Sequence, residues 1–250
     1  MSKMAAIVVG AGKSERFGGN ESKIFAKIDN QPLFIRALQL FINREDVCQT
    51  IFVVGPHDAE HLKAKFGANL GFMGVKLVVG GAHRCQSVAN GLKEVSDDAK
   101  FVAVHDAARV CVAEQWIDAV FDGARKAGAA APVVAVTSTL KRVGADRTIG
   151  ETVPRDGLYM AQTPQIFRKD ILVEAYANFA DKIAGPEAPF TDDAQLVGAA
   201  GVSVLAVDGD ARNIKITTHG DLGVAAALIK KLPQTPIASR GAFEKAQWLT

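Results

Sequence analysis

Short apolar runs alternate with longer amphipathic stretches through the first half of the chain. The apolar runs are rich in Val, Ile and Ala, and they cover residues 5–9, 50–54, 75–79, 101–104 and 130–136. Such continuous runs are typical of parallel strands covered by helices on both faces. The amphipathic stretches predict helices at residues 32–41, 57–66, 84–95 and 114–127. The alternation predicts an α/β fold with a doubly wound, mostly parallel, Rossmann-like sheet.

The pattern changes after residue 136. Two short runs of alternating polarity, at residues 137–143 and 148–153, surround Gly144-Ala145-Asp146 and predict a β-hairpin. Because this hairpin is too polar for the main core, we expect it to project as an arm over about residues 137–156. Further helices are predicted at 169–179, 191–200 and 219–231, and further strands at 203–207 and 213–216. We interpret residues 1–232 as one domain and residues 233–250 as a linker and tail.

Composition narrows the class of protein. The chain has 250 residues, of which 48% are hydrophobic, which is enough for one large domain with a core. Its net charge of +2 gives no reason to expect a nucleic-acid partner. The three cysteines suit neither a disulfide framework nor a zinc site, so we expect a reducing compartment. No apolar run reaches membrane length. We therefore expect a cytoplasmic protein without a membrane partner.

A glycine-rich loop, Gly10-Ala11-Gly12, follows the first predicted strand, and Arg16 and Lys23 come after it. A P-loop would need glycine where Ile7 stands, and a dinucleotide-binding loop would need glycine where Glu15 stands. The sequence therefore gives little support to a P-loop NTPase or to a dinucleotide-binding dehydrogenase. Two cations beside a glycine-rich loop favour a triphosphate ligand. An ordinary strand–helix turn with solvated charges fits this loop alone equally well.

A second cluster follows the third predicted strand. Gly80 and Gly81 open a turn, and Arg84, Ser87 and Gly91 have the i, i+3, i+7 spacing of one helical face. That face either borders a cleft or is the partly exposed start of a helix.

Asp106 follows the predicted strand at residues 101–104. Open α/β sheets bind ligands at the carboxyl ends of their strands, and Mg²⁺ prefers one or two carboxylates together with substrate phosphates. Asp106 is therefore the best candidate for a metal ligand, although an Asp at such a position is often only a helix cap.

Several motifs resemble those of the sugar-phosphate nucleotidyltransferases, and in particular the 2-C-methyl-D-erythritol 4-phosphate cytidylyltransferases. Arg16 and Lys23 stand at the Arg and Lys of the family's first loop. Four longer strings are similar to family motifs, at residues 80–92, 104–109, 155–165 and 213–217. The family forms of these strings are Gly-Gly-x-x-Arg-x-x-Ser-Val-x-Asn-Gly-Leu, Val-His-Asp-Ala-Ala-Arg, Arg-x-x-Leu-x-x-Ala-Gln-Thr-Pro-Gln and Asn-Ile-Lys-x-Thr. The resemblance covers about residues 4–231, and Ser14, Ser22 and Ala82 depart from the pattern.

The resemblance implies an enzyme that transfers CMP from CTP to 2-C-methyl-D-erythritol 4-phosphate in non-mevalonate isoprenoid biosynthesis and releases pyrophosphate. A ribitol-5-phosphate cytidylyltransferase and a catalytically inactive nucleotide-binding relative are the alternatives. The resemblance also implies Mg²⁺ or another divalent cation, held by Asp106, and a homodimer in which the arm embraces the second subunit.

The resemblance also assigns roles to individual residues. The implied catalytic residues are Arg16, Lys23 and Lys215. The implied nucleotide-binding residues are Gly10, Ala11, Gly12, Gly80, Gly81, Arg84, Ser87 and Asp106. The implied acceptor-binding residues are Arg109, Thr139, Arg155, Thr163 and Thr191.

Overall fold

The computed structural model describes residues 2–12, 14, 16–18, 22–185 and 190–233, so most of the predicted tail lies outside the described residues. Its strands are β1 (Met4–Gly10), β2 (Lys27–Ile28), β3 (Gln31–Pro32), β4 (Val47–Val54), β5 (Val75–Val79), β6 (Phe101–Asp106), β7 (Ala129–Ala135), β8 (Leu140–Val143), β9 (Ile149–Val153), β10 (Tyr159–Ala161), β11 (Gln165–Arg168) and β12 (Leu205–Asp208). Its helices are α1 (Leu33–Ile42), α2 (Pro56–Phe72), α3 (Arg84–Leu92), α4 (Glu114–Ala127), α5 (Lys169–Asn178), α6 (Ala180–Ala184), α7 (Asp193–Ala199) and α8 (Gly220–Ile229).

One mixed sheet organises the fold, with strand order β10-β7-β11-β6-β1-β4-β5 and with β12 also paired to β7. The pairs of β1 with β4 and β6, of β4 with β5, and of β12 with β7 are parallel. Strands β10 and β11 run antiparallel to their neighbours. The predicted mostly parallel α/β sheet is therefore confirmed, and the carboxyl ends of β1, β4 and β6 meet at one edge.

The alternation of side chains along β1 explains why both sheet faces are covered. Met4, Ala6 and Val8 pack in a cluster with α1, α2, α4 and α8, whereas Ala5 and Ile7 pack in a second cluster with α3, α5 and α7. All five side chains are fully buried. Since burying one large aliphatic side chain stabilises a fold by about 1.5–3 kcal/mol, this strand anchors both layers.

The predicted hairpin is present as β8 and β9, an antiparallel pair that forms its own small sheet. Most of its residues are exposed, including Val143 and Ile149. Arg147, in the connecting turn, has a φ of 67°. The hairpin therefore stands apart from the core, as expected of an arm.

The prediction differs from the structure in several places. No strand forms at residues 213–216; there the Ile216 N–H donates instead to the Ala108 carbonyl, 2.9 Å away, in the loop after β6. Strands β10 and β11 were not predicted, because they are only three and four residues long. Among the described helices, none is long and apolar enough to cross a membrane.

Candidate active site

A cleft opens at the carboxyl ends of β1 and β6 and encloses about 170 Å³. It is lined by parts of the glycine-rich loop, the start of α3, the end of β6 and the segment after β12. The lining residues are Val9, Gly10, Ala11, Gly12, Lys23, Ile24, Ala82, His83, Arg84, Ser87, Asp106, Ala108 and Lys215. Four motifs that are far apart in sequence therefore meet in one place.

Asp106 is the centre of charge in this cleft. Its side chain is buried, with Oδ1 3.1 Å from Nε of Arg84 and Oδ2 2.6 Å from Nζ of Lys215. Nε of Arg109 lies 4.0 Å from Oδ2. Burial raises the pKa of Asp106, but the charges of Arg84 and Lys215 outweigh burial and hold it well below its usual range. The carboxylate is therefore ionised under all ordinary conditions.

Lys23 and Lys215 both line the cleft. Burial lowers the pKa of Lys23, and the nearby Lys215 ammonium lowers it further. Arg16 is exposed and does not line the cleft, but its charge adds to this lowering. The arrangement concentrates positive charge that one carboxylate only partly neutralises, and such a site attracts a polyanion.

The backbone turns beside the cleft depend on small residues. Ser87 is fully buried, and its Oγ accepts from the Gly81 N–H at 3.1 Å. A Cβ on Gly80 would stand 2.6 Å from that Oγ and 2.9 Å from Cβ of Ala11, so a larger residue would force these side chains or the turn to shift. Gly80 and Gly81 therefore support the wall of the cleft from behind and do not line it.

Ser14 and Ser22, the two departures in the first loop, contact each other. Their Oγ atoms lie 3.5 Å apart, and Oγ of Ser14 accepts from the Lys23 N–H at 3.1 Å. Ser14 has a φ of 58°, in the left-handed region. The two serines therefore tie the loop to the backbone of Lys23.

A chain of hydrogen bonds behind Asp106 uses Thr163 and His105. Oγ1 of Thr163 accepts from the Asp106 N–H at 3.1 Å and donates to Nδ1 of His105 at 3.0 Å. Nε2 of His105 donates to the Arg109 carbonyl at 2.8 Å. Burial lowers the pKa of His105 to about 4, so the ring is neutral at neutral pH. Thr163 is buried, and its hydroxyl is committed to this chain.

The other predicted acceptor residues do not line the cleft within the described residues. Arg109 donates from Nη1 to the Asn213 carbonyl at 2.6 Å and from Nη2 to the Ala161 carbonyl at 3.3 Å, so it fixes the segment that carries Lys215. Thr139 is exposed at the start of the arm, and Arg155 donates to the Thr137 carbonyl. Oγ1 of Thr191 donates to Oε1 of Gln195 at 3.1 Å, beside the N-cap of α7.

The structure adds Asp193 and Tyr176, which sequence reasoning missed as site residues. Oδ2 of Asp193 accepts from Nη1 of Arg84 at 2.7 Å, and Oδ1 accepts from the Tyr176 hydroxyl at 2.7 Å. Burial lowers the pKa of Arg84, but Asp193 and then Asp106 raise it above its usual range. Nη2 of Arg84 is buried without a hydrogen-bond partner among the described residues. Arg84 therefore bridges two carboxylates, one in the cleft and one behind it.

The donor chemistry of the cleft fits a divalent cation that is shared with a substrate. Within the described residues no group of three or more His, Cys, Asp or Glu side chains could hold a metal ion. Asp106 supplies the one carboxylate of the described lining. One carboxylate together with phosphate oxygens and water is the ligand set that Mg²⁺ prefers.

Comparisons with known proteins agree with this geometry. The family model described as IspD, 2-C-methyl-D-erythritol 4-phosphate cytidylyltransferase, matches residues 4–231. A protein of that name from Alkaliphilus oremlandii (strain OhILAs) is 36% identical over 231 residues, covering 92% of this chain and 96% of that protein. One from Endomicrobium trichonymphae is 38% identical over 228 residues, covering 91% and 99%.

The fold agrees as well. The crystal structure of 2-C-methyl-D-erythritol 4-phosphate cytidylyltransferase from Thermus thermophilus matches with a TM-score of 0.73 and 32% identity, covering 90% of this chain and 98% of that one. The chain therefore belongs to the 2-C-methyl-D-erythritol 4-phosphate cytidylyltransferase family.

Proposed function

We propose that this protein transfers the cytidylyl group of CTP to 2-C-methyl-D-erythritol 4-phosphate and releases pyrophosphate, as a step of isoprenoid biosynthesis. The observation that carries the proposal is the cluster of Lys23, Lys215 and Arg84 around Asp106, at the sheet edge where α/β proteins bind nucleotides. Family membership supplies the identity of the two substrates.

The chemistry is an in-line displacement between two anions. An oxygen of the acceptor phosphate attacks the α-phosphorus of CTP, a new P–O bond forms, and the bond to the pyrophosphate oxygen breaks. No covalent enzyme intermediate is needed, so the protein acts by positioning and by stabilising negative charge. Lys23 and Lys215 are placed to stabilise negative charge on the phosphates. Arg16 is the third candidate because it lies in the same segment as Lys23, after the glycine-rich loop.

Lys215 is held by a carboxylate that can also serve a metal ion. Asp106 would hold Mg²⁺ together with the substrate phosphates, and bound Mg²⁺ would neutralise charge on the triphosphate. Arg109 fixes the backbone at Asn213, two residues before Lys215. This bond keeps Lys215 at the cleft while its ammonium moves between Asp106 and a phosphate.

The nucleotide-binding role of residues 80–87 rests on their backbone geometry. The Ser87 hydroxyl braces the Gly81 N–H, and Ala82 and His83 continue from that turn into the lining of the cleft. We assign this wall to the cytosine and ribose of CTP, and the glycine-rich loop to its phosphates.

The arm is proposed to form a homodimer. Val143 and Ile149 on the arm are 49% and 71% exposed, and Tyr159 and Met160 on β10 are 57% and 55% exposed. Exposed apolar side chains on a projecting hairpin and an edge strand favour contact with a second subunit. Thr139 and Arg155 would then reach the acceptor of the partner's cleft. Sedimentation equilibrium should give twice the chain mass, and a monomer at assay concentration would rule the dimer out.

Pyrophosphate release is the direct test of the activity. The purified protein with Mg²⁺ should release pyrophosphate from CTP when 2-C-methyl-D-erythritol 4-phosphate is present, and CTP should outperform ATP, GTP and UTP. Ribitol 5-phosphate in place of the methylerythritol phosphate distinguishes the alternative acceptor. CTP binding without turnover of either acceptor would identify an inactive relative instead.

A further inference from the structure

A second cavity lies on the far side of α3 from the active-site cleft. It is a pocket of about 600 Å³ between α3, α5 and α6 that opens to the surface, and its volume is within the range of small-molecule sites in proteins. Its walls are largely aliphatic and include Leu92, Val173 and Ile183. None of the roles proposed above for the cleft or the arm uses this cavity.

The sequence explains why the space is open. Gln86, Ala89, Asn90 and Lys93 follow the i, i+3, i+4, i+7 spacing of one face of α3, and all of them line the cavity. Opposite them, α5 and α6 present alanines at positions 177, 180 and 184. These alanines are exposed, so the space opens to solvent at the surface, and longer side chains at these positions would fill it.

Charge defines the kind of occupant. Lys93 is the one charged residue of the described lining, and no carboxylate lines the cavity within the described part of the chain. Lys93 is exposed at the end of α3 and forms no ion pair with any described residue. An apolar space with one ammonium group at its edge complements a small molecule that has an apolar body and a single acidic group.

The wall of this cavity includes Tyr176, which reaches the active site through two carboxylates. Its hydroxyl donates to Oδ1 of Asp193, and Oδ2 of Asp193 accepts from Nη1 of Arg84. Nε of Arg84 in turn donates to Asp106 in the cleft. A displacement of Tyr176 therefore acts directly on the partner of Arg84.

Arg84 has a second arrangement available. Its Nη2 is a buried donor without a hydrogen-bond partner among the described residues. If the Tyr176 hydroxyl leaves Oδ1 of Asp193, Nη2 can take that oxygen. Arg84 would then hold Asp193 with two parallel hydrogen bonds, a geometry that guanidinium and carboxylate favour. Its Nε would be drawn away from Asp106.

We propose that the cavity between α3, α5 and α6 is a second ligand site, which binds a small amphiphilic monoanion and weakens nucleotide binding by moving Tyr176 off Asp193. The effect on the nucleotide rests on the proposed function of the cleft. Binding of a ligand to the cavity does not rest on the proposed function, so an experiment can contradict the cavity without contradicting the cytidylyl transfer.

Binding is tested with 8-anilino-1-naphthalenesulfonate, which has an aromatic body and one sulfonate, titrated into the native protein and followed by fluorescence. We expect one saturable site per chain. Ala177→Trp, which fills the cavity, should weaken binding at least about tenfold, and Lys93→Met about fivefold, the loss of one ion pair. The matched controls are Ala227→Trp and Lys126→Met, both on exposed helix positions that do not line the cavity; these should bind the probe as the unaltered protein does.

Lys93→Met keeps the test decisive if Ala177→Trp does not fold, which circular dichroism will show. Absence of saturable binding, or equal binding by the cavity variants and their controls, would overturn the proposal. So would full competitive displacement of the probe by CTP, because the probe would then occupy the cleft.

Coupling is tested by calorimetric titration of CTP without acceptor. Saturating probe should raise the Kd for CTP at least about threefold, and saturating CTP should raise the Kd of the probe by the same factor, because coupling between two sites is reciprocal. Tyr176→Phe, which has no hydroxyl to displace, should abolish the coupling while the probe still binds. Equal coupling in Tyr176→Phe and in the unaltered protein would contradict the route through Tyr176.

Discussion

Replacing Asp193 by Asn tests the buried network most severely. Asp193 has no exposed surface, and its carboxylate accepts from Arg84 and from the Tyr176 hydroxyl, each at 2.7 Å. An Asn side chain has the same shape but one acceptor oxygen. If that oxygen serves Tyr176, the amide NH₂ faces the Arg84 guanidinium, donor against donor. The substitution therefore leaves a buried cation with one carboxylate, Asp106, in place of two.

The expected loss of stability follows from that geometry. Breaking a buried ion pair by removing one partner costs about 3–5 kcal/mol. Because Arg84 keeps Asp106, we expect the lower end, about 3 kcal/mol, which for a chain of this size lowers Tm by roughly 6–12 °C. Tyr176→Phe removes one hydrogen bond to a charged group and should cost about 1.5–3 kcal/mol.

Urea unfolding followed by circular dichroism measures both losses. The double variant should lose less than the sum of the two single variants, since the residues share one network. Asp97→Asn is the matched control, because Asp97 is exposed and forms only a surface ion pair, with Nζ of Lys169 at 3.0 Å. Exposed ion pairs contribute little, so it should cost less than about 1 kcal/mol. A similarly small loss for Asp193→Asn would refute the view that Asp193 anchors Arg84.

Three further predictions concern catalysis, pH and the nucleotide wall. Lys215→Met and Lys23→Met should each lower kcat about a hundredfold or more, with the fold intact by circular dichroism; near-native turnover of both would remove them from the mechanism. Burial lowers the pKa of His105 from 6.5 to about 4, so between these values the unfolded chain binds a proton that the folded protein does not. The free energy of unfolding should therefore fall by up to about 3 kcal/mol as the pH drops from 6.5 to 4. The urea midpoint of His105→Gln should fall less over the same pH range, and an equal fall in both proteins would show that His105 does not cause the pH dependence. Gly80→Ala would push a Cβ within 2.6 Å of Oγ of Ser87 and should raise the Kd for CTP at least about tenfold, whereas unchanged calorimetric affinity would show that the turn does not support the nucleotide wall.

The parallel half of the fold was predictable from the sequence because its central strands β1, β4 and β6 are largely buried on both faces. Each of these strands therefore stands out as an apolar run, and the partly exposed edge strand β5 is apolar except at Lys76. Strands β10 and β11 gave no such signal. They pair antiparallel with distant strands, and β11 begins with Gln165 and ends with Arg168, so its local pattern is too short and too polar.

The predicted strand at residues 213–216 was wrong for a related reason. Asn213 and Ile216 are both buried, but Asn213 uses its amide to donate to the Thr163 carbonyl at 2.9 Å, and the backbone N–H of Ile216 donates to the Ala108 carbonyl in a loop. An alternating pattern cannot distinguish this loop packing from strand pairing.

The cleft was largely predictable because its chemistry lies on loops that follow recognisable strands. Lys23, Arg84, Ser87, Asp106 and Lys215 were each predicted as site residues, and the structure brings all of them to the cleft. The roles assigned to them stay predictions.

Asp193 and Tyr176 were missed because their function depends on distance in space alone. Asp193 looks like an ordinary acidic residue in the first turn of a helix, and it is 109 positions from Arg84 in the chain. Tyr176 looks like part of a buried face of α5. The burial of Asp193 reveals its role, since a carboxylate is rarely buried without a partner, and the sequence does not show that burial.

Single-turnover transfer of labelled phosphorus tests the central claim most directly. The protein, with Mg²⁺ and 2-C-methyl-D-erythritol 4-phosphate, is mixed with CTP labelled in the α-phosphate or, separately, in the γ-phosphate. We expect the α label to appear in 4-diphosphocytidyl-2C-methyl-D-erythritol and the γ label in pyrophosphate, with equal rate constants. Label that appears as free CMP, or that stays in CTP while the acceptor is intact, would contradict cytidylyl transfer by this protein.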